Sequence, residues 1–250
     1  MTEELPPPLE PLPEDWERML CVVAHPDDLE FGGAAAVARW TAQGKRVVYC
    51  MVTSGEAGID GLEPARAREV REAEQVESAR IVGVDEVDFL RLRDGILEYG
   101  VTLRRAIAEE VRLHRPDVVV TNNFRDTWGG RTLNQADHIA TGRATLDAVR
   151  DAANRWVFPE QLGPDGLERW DGVKAVWAAG SPESTHAVDI TDSFDAGVAS
   201  LRAHSAYIEG LGWADFDPTE FLEGMSRQVG QRLGVAHATA FEVFPLGWGQ

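Results

Sequence analysis

His25-Pro26-Asp27-Asp28 sets one imidazole and two carboxylates within four residues, directly after the apolar run from Met19 to Val23. An apolar run bounded by turn residues reads as a buried strand. Beyond it, the Ala, Val and Trp residues from Gly33 to Trp40 recur at helical spacing. The polar cluster therefore stands where a parallel strand hands over to a helix, at the edge of an open α/β sheet where ligands bind. His25 and Asp28 supply a nitrogen and an oxygen, a pairing that suits zinc, and Asp27 is left over as a proton carrier. A catalytic zinc keeps three protein ligands and one open position, so a third ligand must come from another strand's C-terminal edge. His138 fits, because it falls in the first turn of a predicted helix that follows a later apolar run at 117–121.

The elements that position these residues are legible in the apolar pattern. Strands are predicted at 47–53, 87–92, 117–121 and 173–178, with helices at 64–81, 101–114 and 134–154 between and after them. The last third is less regular: 194–207 and 219–233 read as helices and 240–246 as a late strand. This alternation means a mostly parallel sheet with helices on both faces, a Rossmann-like α/β fold. Residues 1–16 form an extended, Pro-rich lead-in, and 17–250 read as a single domain. The turn after the first strand carries acids where a dinucleotide fold needs Gly-x-Gly-x-x-Gly, so it would repel phosphate and attract a cation.

A formal charge of −18 argues against nucleic acid and anionic membrane surfaces as partners, since both call for basic patches. The N-terminus is acidic and Pro-rich rather than a signal peptide, and no apolar stretch approaches the ~20 residues of a membrane span, so a cytoplasmic protein is expected. Cys21 and Cys50 each fall inside a predicted strand and read as buried apolar residues. Of the remaining histidines, His114 lies at the sheet edge away from the cluster, and His204 and His237 read as structural. His186 follows the fifth strand at the correct edge and is placed to lean into the pocket.

Several stretches between residues 19 and 155 point the same way: the His25 motif with Glu30-Phe31-Gly32-Gly33, Arg66-Ala67-Arg68-Glu69 leading to Ile81-Val82-Gly83-Val84, Leu92-Arg93-Asp94-Gly95, and Ala136-Asp137-His138. Together they resemble the PIG-L/LmbE-like family of zinc-dependent de-N-acetylases. The resemblance implies His25, Asp28 and His138 as metal ligands for Zn2+ or another divalent ion such as Fe2+, and Asp27 as general base. It also implies Arg66 as the substrate-side arginine and Asp94 as the acid that contacts sugar hydroxyls. Trp128, in a loop rich in amides and Arg after the fourth strand, has the chemistry of carbohydrate recognition. One position departs from the family: a histidine often stands three residues before the last ligand, and here it is Gln135. An amide can donate to an oxyanion but cannot shuttle a proton at neutral pH.

The expected activity is removal of an N-acetyl group from a small amino-sugar substrate of the N-acetylglucosamine type, with homo-oligomerisation left open. Two alternatives stand beside it. One is an amidase of the same scaffold acting on a non-acetyl amide; the other is a catalytically silent sugar-binding protein, which the Gln135 departure keeps in view.

Overall fold

The computed structural model describes residues 7–247, apart from 165 and 214. Among the described residues, eight strands make one sheet: β1 (Glu10–Pro11), β2 (Arg18–Val23), β3 (Arg46–Thr53), β4 (Val87–Leu92), β5 (Val118–Asn122), β6 (Ala175–Ala179), β7 (His186–Asp189) and β8 (Ala238–Pro245). Their order is β1-β7-β8-β6-β5-β2-β3-β4, and only β8 runs antiparallel to its neighbours. The helices are α1 (Ala34–Ala42), α2 (Pro64–Ile81), α3 (Val101–His114), α4 (Ala136–Ala153), α5 (Phe194–Arg202), α6 (Ser205–Gly210) and α7 (Pro218–Leu233).

The central strands are apolar along their whole length because helices cover both faces. Alternate side chains of β2 divide between two cores. Met19, Cys21 and Val23 pack with Tyr49, Met51 and the Ala-rich face of α1, while Leu20 and Val22 pack with Val48, Val119, and Ile107 and Ala144 of α3 and α4. Cys21 and Cys50 are buried and unpaired.

Strand order reverses at β2, which has β3 on one side and β5 on the other. The crevice beyond the carboxyl ends of β2 and β5 is therefore the switch point at which open α/β sheets bind ligands. The loop after β2 carries His25, and the loop after β5 leads into α4 and His138.

Three features differ from the sequence expectation. The helix expected over 194–207 is split into α5 and α6 at Ala203-His204, where the His204 side chain turns fully inward. The four-residue strand β7 was not expected; it pairs with β8 and β1, both remote in sequence. The lead-in joins the sheet through Glu10 and Pro11, an edge position where the missing proline N–H costs nothing.

Candidate active site

His25 and Asp28, both in the turn that follows β2, meet His138 from the first turn of α4. Asp28 Oδ1 lies 2.9 Å from His138 Nε2 and 3.7 Å from His25 Nδ1, and the two imidazole nitrogens are 3.2 Å apart. Bonds of ~2.0–2.1 Å in a tetrahedron put ligand atoms about 3.3 Å apart, so the three atoms have the spacing of a single small divalent ion's ligand set. All three residues are largely withdrawn from solvent.

The far side of each imidazole supports the same reading. His138 Nδ1 lies 3.0 Å from Asn134 Oδ1, and the Asn134 amide is oriented by donating from Nδ2 to the carbonyls of Asn123 and Arg125. His138 therefore carries its proton on Nδ1 and presents the Nε2 lone pair. His25 Nε2 faces two carboxylates, Asp94 Oδ1 at 3.1 Å and Asp137 Oδ2 at 3.3 Å, so its proton is on Nε2 and Nδ1 is free to ligate. Oxygen acceptors behind ligating imidazoles fix tautomer and ring orientation.

His25, Asp94 and Asp137 also lie close enough to form a ligand set of their own. Their oxygens are already engaged: Asp137 accepts the N–H groups of Gly95 and Leu97 at 2.7 and 2.9 Å, and Asp94 Oδ2 accepts that of Ala57 at 2.8 Å. These two acids act as braces for His25 and for the loop after β4.

Asp27 is buried beneath the turn. Arg71 Nη2 donates to its Oδ1 at 3.0 Å and also to the Pro26 carbonyl. Burial pushes the Asp27 carboxyl up to about 6 against the opposing pull of Arg71. Its backbone is in the left-handed region, φ 94°. Arg71 is itself enclosed: the Tyr207 ring stacks on its guanidinium, 3.9 Å from the ring centroid, and a Cβ at Gly55 or Gly58 would collide with its head group. Glycine at those two positions is what admits the arginine.

A pocket of about 250 Å³ opens here, lined by His25, Arg71, Asp94, Gln135, Asp137 and Tyr207 together with Ala57, Gly58, Gly95 and Ala136. Of the residues singled out from sequence, His25, Asp28, His138, Asp27, Asp94 and Gln135 are thus brought together. Gln135 stands at the N-cap position of α4, on the pocket wall, with its side chain exposed and making no capping bond. Trp128 stands beside the pocket rather than in its lining, edge-on to His138 with ring centroids 5.8 Å apart.

Two expectations are corrected. Arg66 does not reach the pocket; its guanidinium is exposed and pairs with Glu69 at 2.8 Å, while Arg71 occupies the place expected for it. His186 does not lean into the pocket either. It lies in β7, four strands from β2 and so roughly 19 Å away across the sheet, with its ring against Thr185 and Glu10. His114 pairs with Asp88 at 2.8 Å, and His237 with Ser226 at 2.9 Å. Sequence reasoning passed over Arg71, Gln75, Asp137 and Tyr207. Little in the sequence marks them: Arg71, Gln75 and Ser78 repeat at i, i+4, i+7, but a polar stripe on a helix reads as its solvated face, and here that face is buried.

The family profile described as PIG-L, GlcNAc-PI de-N-acetylase, matches residues 20–149. The chain belongs to the PIG-L family. It is 26% identical over 237 residues to the diacetylchitobiose deacetylase of Thermococcus kodakarensis, covering 92% of this chain and 84% of that protein. It is 33% identical over 184 residues to 1D-myo-inositol 2-acetamido-2-deoxy-alpha-D-glucopyranoside deacetylase 2 of Saccharopolyspora erythraea, covering 63% and 64% of the two chains. Among solved structures, the N,N'-diacetylchitobiose deacetylase of Pyrococcus horikoshii superposes with a TM-score of 0.84 at 24% identity, over 93% of this chain and 85% of that one. That likeness establishes the PIG-L fold. No helix among the described residues is long and apolar enough to cross a membrane.

Proposed function

We propose that this PIG-L protein is a metal-dependent hydrolase that removes the N-acetyl group from an N-acetylglucosamine-type sugar and releases acetate. The observation that carries the reading is the set of Asp28 Oδ1, His138 Nε2 and His25 Nδ1 at near-tetrahedral spacing, each imidazole braced from behind, at a pocket walled by an arginine and an acid. The deacetylase activities of the relatives in Thermococcus kodakarensis and Saccharopolyspora erythraea support the substrate class.

His25, Asp28 and His138 would hold the ion, zinc or another divalent metal such as iron(II). When bound, the ion supplies Lewis-acid activation of water and of the amide carbonyl. Asp27, its Oδ1 held by Arg71, accepts the proton of the attacking water and passes it to the departing sugar amine. The Gln135 side-chain amide, at the pocket wall, donates a hydrogen bond to the carbonyl oxygen as it gains charge. Arg71 fixes the base, and Asp94, besides bracing His25, keeps lone pairs at the pocket wall that can accept from a sugar hydroxyl. Trp128 beside His138 offers an aromatic face to the substrate. The catalytic unit is read as one domain over residues 17–250, to whose single sheet the lead-in adds β1 as an edge strand. A cytoplasmic location accords with the two buried, unpaired cysteines.

The test is acetate release from N,N'-diacetylchitobiose by zinc-loaded protein. Stoichiometric acetate and free amine are expected. Absence of acetate with sugar binding retained would favour the silent sugar-binding reading, to which Gln135 in place of a histidine lends its one specific support. Release of an amine from a non-acetyl amide alone would favour the amidase.

A further inference from the structure

Asp27 has φ 94°, a backbone conformation that residues with a Cβ keep only when their surroundings impose it. Here the surroundings come from one face of α2. The peptide joining Pro26 to Asp27 is gripped at both ends: Arg71 Nη2 donates to its carbonyl oxygen, and Gln75 Oε1 accepts its N–H at 2.8 Å. Arg71 also holds the Asp27 carboxylate. With the peptide plane fixed on one side of the Cα and the carboxylate on the other, rotation about the bond between them is no longer free.

Gln75 is fully buried, and its own orientation is set. Its Oε1 must face the Asp27 N–H, which leaves Nε2 to donate to Glu30 Oε1 at 3.1 Å. The same oxygen also accepts the Ser78 hydroxyl at 2.7 Å. Glu30 thus closes the loop from the metal turn back onto α2. A buried glutamine with both ends of its amide committed, one of them to the backbone of the proposed base, serves geometry rather than packing alone.

We propose that Gln75 is a positioning residue for the hydrolysis: by holding the Pro26–Asp27 peptide plane it aims the Asp27 carboxylate at the attacking water. The inference rests on the reading of Asp27 as the base. Without Gln75 the peptide is tied only through its carbonyl and can rotate toward an ordinary negative φ, carrying the carboxylate away. Misplacement of a catalytic group by about 1 Å costs on the order of 10²-fold in rate.

The experiment compares wild type, Gln75→Leu, Asp27→Asn and the double variant, each with metal content measured, for turnover of N,N'-diacetylchitobiose. It also measures hydrogen exchange of the 25–31 segment in metal-free protein. Gln75→Leu is expected to bind metal fully, to lower kcat by about 10- to 100-fold with KM within about two-fold, and to exchange the Asp27 amide faster. In the Asp27→Asn background it should cause no further loss, because it acts through Asp27. Where Gln75→Leu fails to fold, Gln75→Asn takes its place; its amide is one methylene too short for the Asp27 N–H. Unchanged exchange, unchanged kcat, or a loss that multiplies with Asp27→Asn would overturn the proposal. Full turnover by Asp27→Asn would instead refute the base, and absence of turnover in wild type the substrate class; in either case the exchange rates still decide whether Gln75 holds the peptide.

Discussion

Asp137 was not singled out by its sequence position next to His138, yet the geometry gives it a measurable duty. Its Oδ2 lies 3.3 Å from His25 Nε2 and accepts the Gly95 N–H at 2.7 Å, while Oδ1 accepts the Leu97 N–H at 2.9 Å. Replacing it by Asn puts an NH2 where one carboxylate oxygen was. Facing Oδ2's partners, that NH2 meets two donors; flipped, it meets the Leu97 N–H, and His25 keeps an uncharged amide oxygen in place of the carboxylate. Loss of an outer acceptor behind a ligating imidazole typically weakens metal binding by 10- to 100-fold, about 1.4–2.7 kcal/mol. At least one backbone N–H is also left without its acceptor, at about 1–3 kcal/mol of folding stability. Asp137→Asn should therefore weaken zinc binding by 10- to 100-fold, read by competition with a chromophoric chelator, and lower the urea midpoint of the metal-free protein. An unchanged zinc Kd with a lowered midpoint would refute the orienting role and leave Asp137 as a brace for the 95–97 loop alone.

Arg71→Ala should abolish most turnover and Arg66→Ala should leave kcat and KM near wild type, in steady-state assays of acetate release; the reverse order would restore the sequence-based assignment. His114 is drawn down by burial, but Glu110 and Asp88 more than compensate and raise its pKa above the usual value. A raised folded-state pKa means that its stabilising contribution is complete below about pH 6.5 and fades as pH rises through the folded value. His114→Gln should flatten the decline of the urea midpoint above pH 6.5, and superimposable wild-type and variant profiles would contradict this.

Much of the framework is readable from residue pattern because it is local. Helix α2 spans Pro64–Ile81, as its N-terminal proline and periodicity predict, and β4 and α3 also match. The putting together of His25, Asp28 and His138 follows from a general rule of parallel sheets, that strand ends on one edge converge. What was not legible depends on phase and on distant partners. Arg66 and Arg71 share a helix, but five residues at about 100° each turn them about 140° apart, so only one can face the metal turn. Choosing between them requires knowing which face α2 buries, and that face is polar: Arg71, Gln75 and Ser78, where a hydrophobic stripe would have announced it. Strand β7 is likewise set by β8 and β1, neither of them near in sequence.

The central claim, that His25, Asp28 and His138 hold one catalytic divalent ion, is tested most directly by metal content per chain after zinc loading and desalting. Wild type should retain one zinc, and His25→Ala, Asp28→Ala and His138→Ala should each retain little, since a tight catalytic site needs three protein ligands. Full zinc occupancy in folded His138→Ala protein would contradict the account.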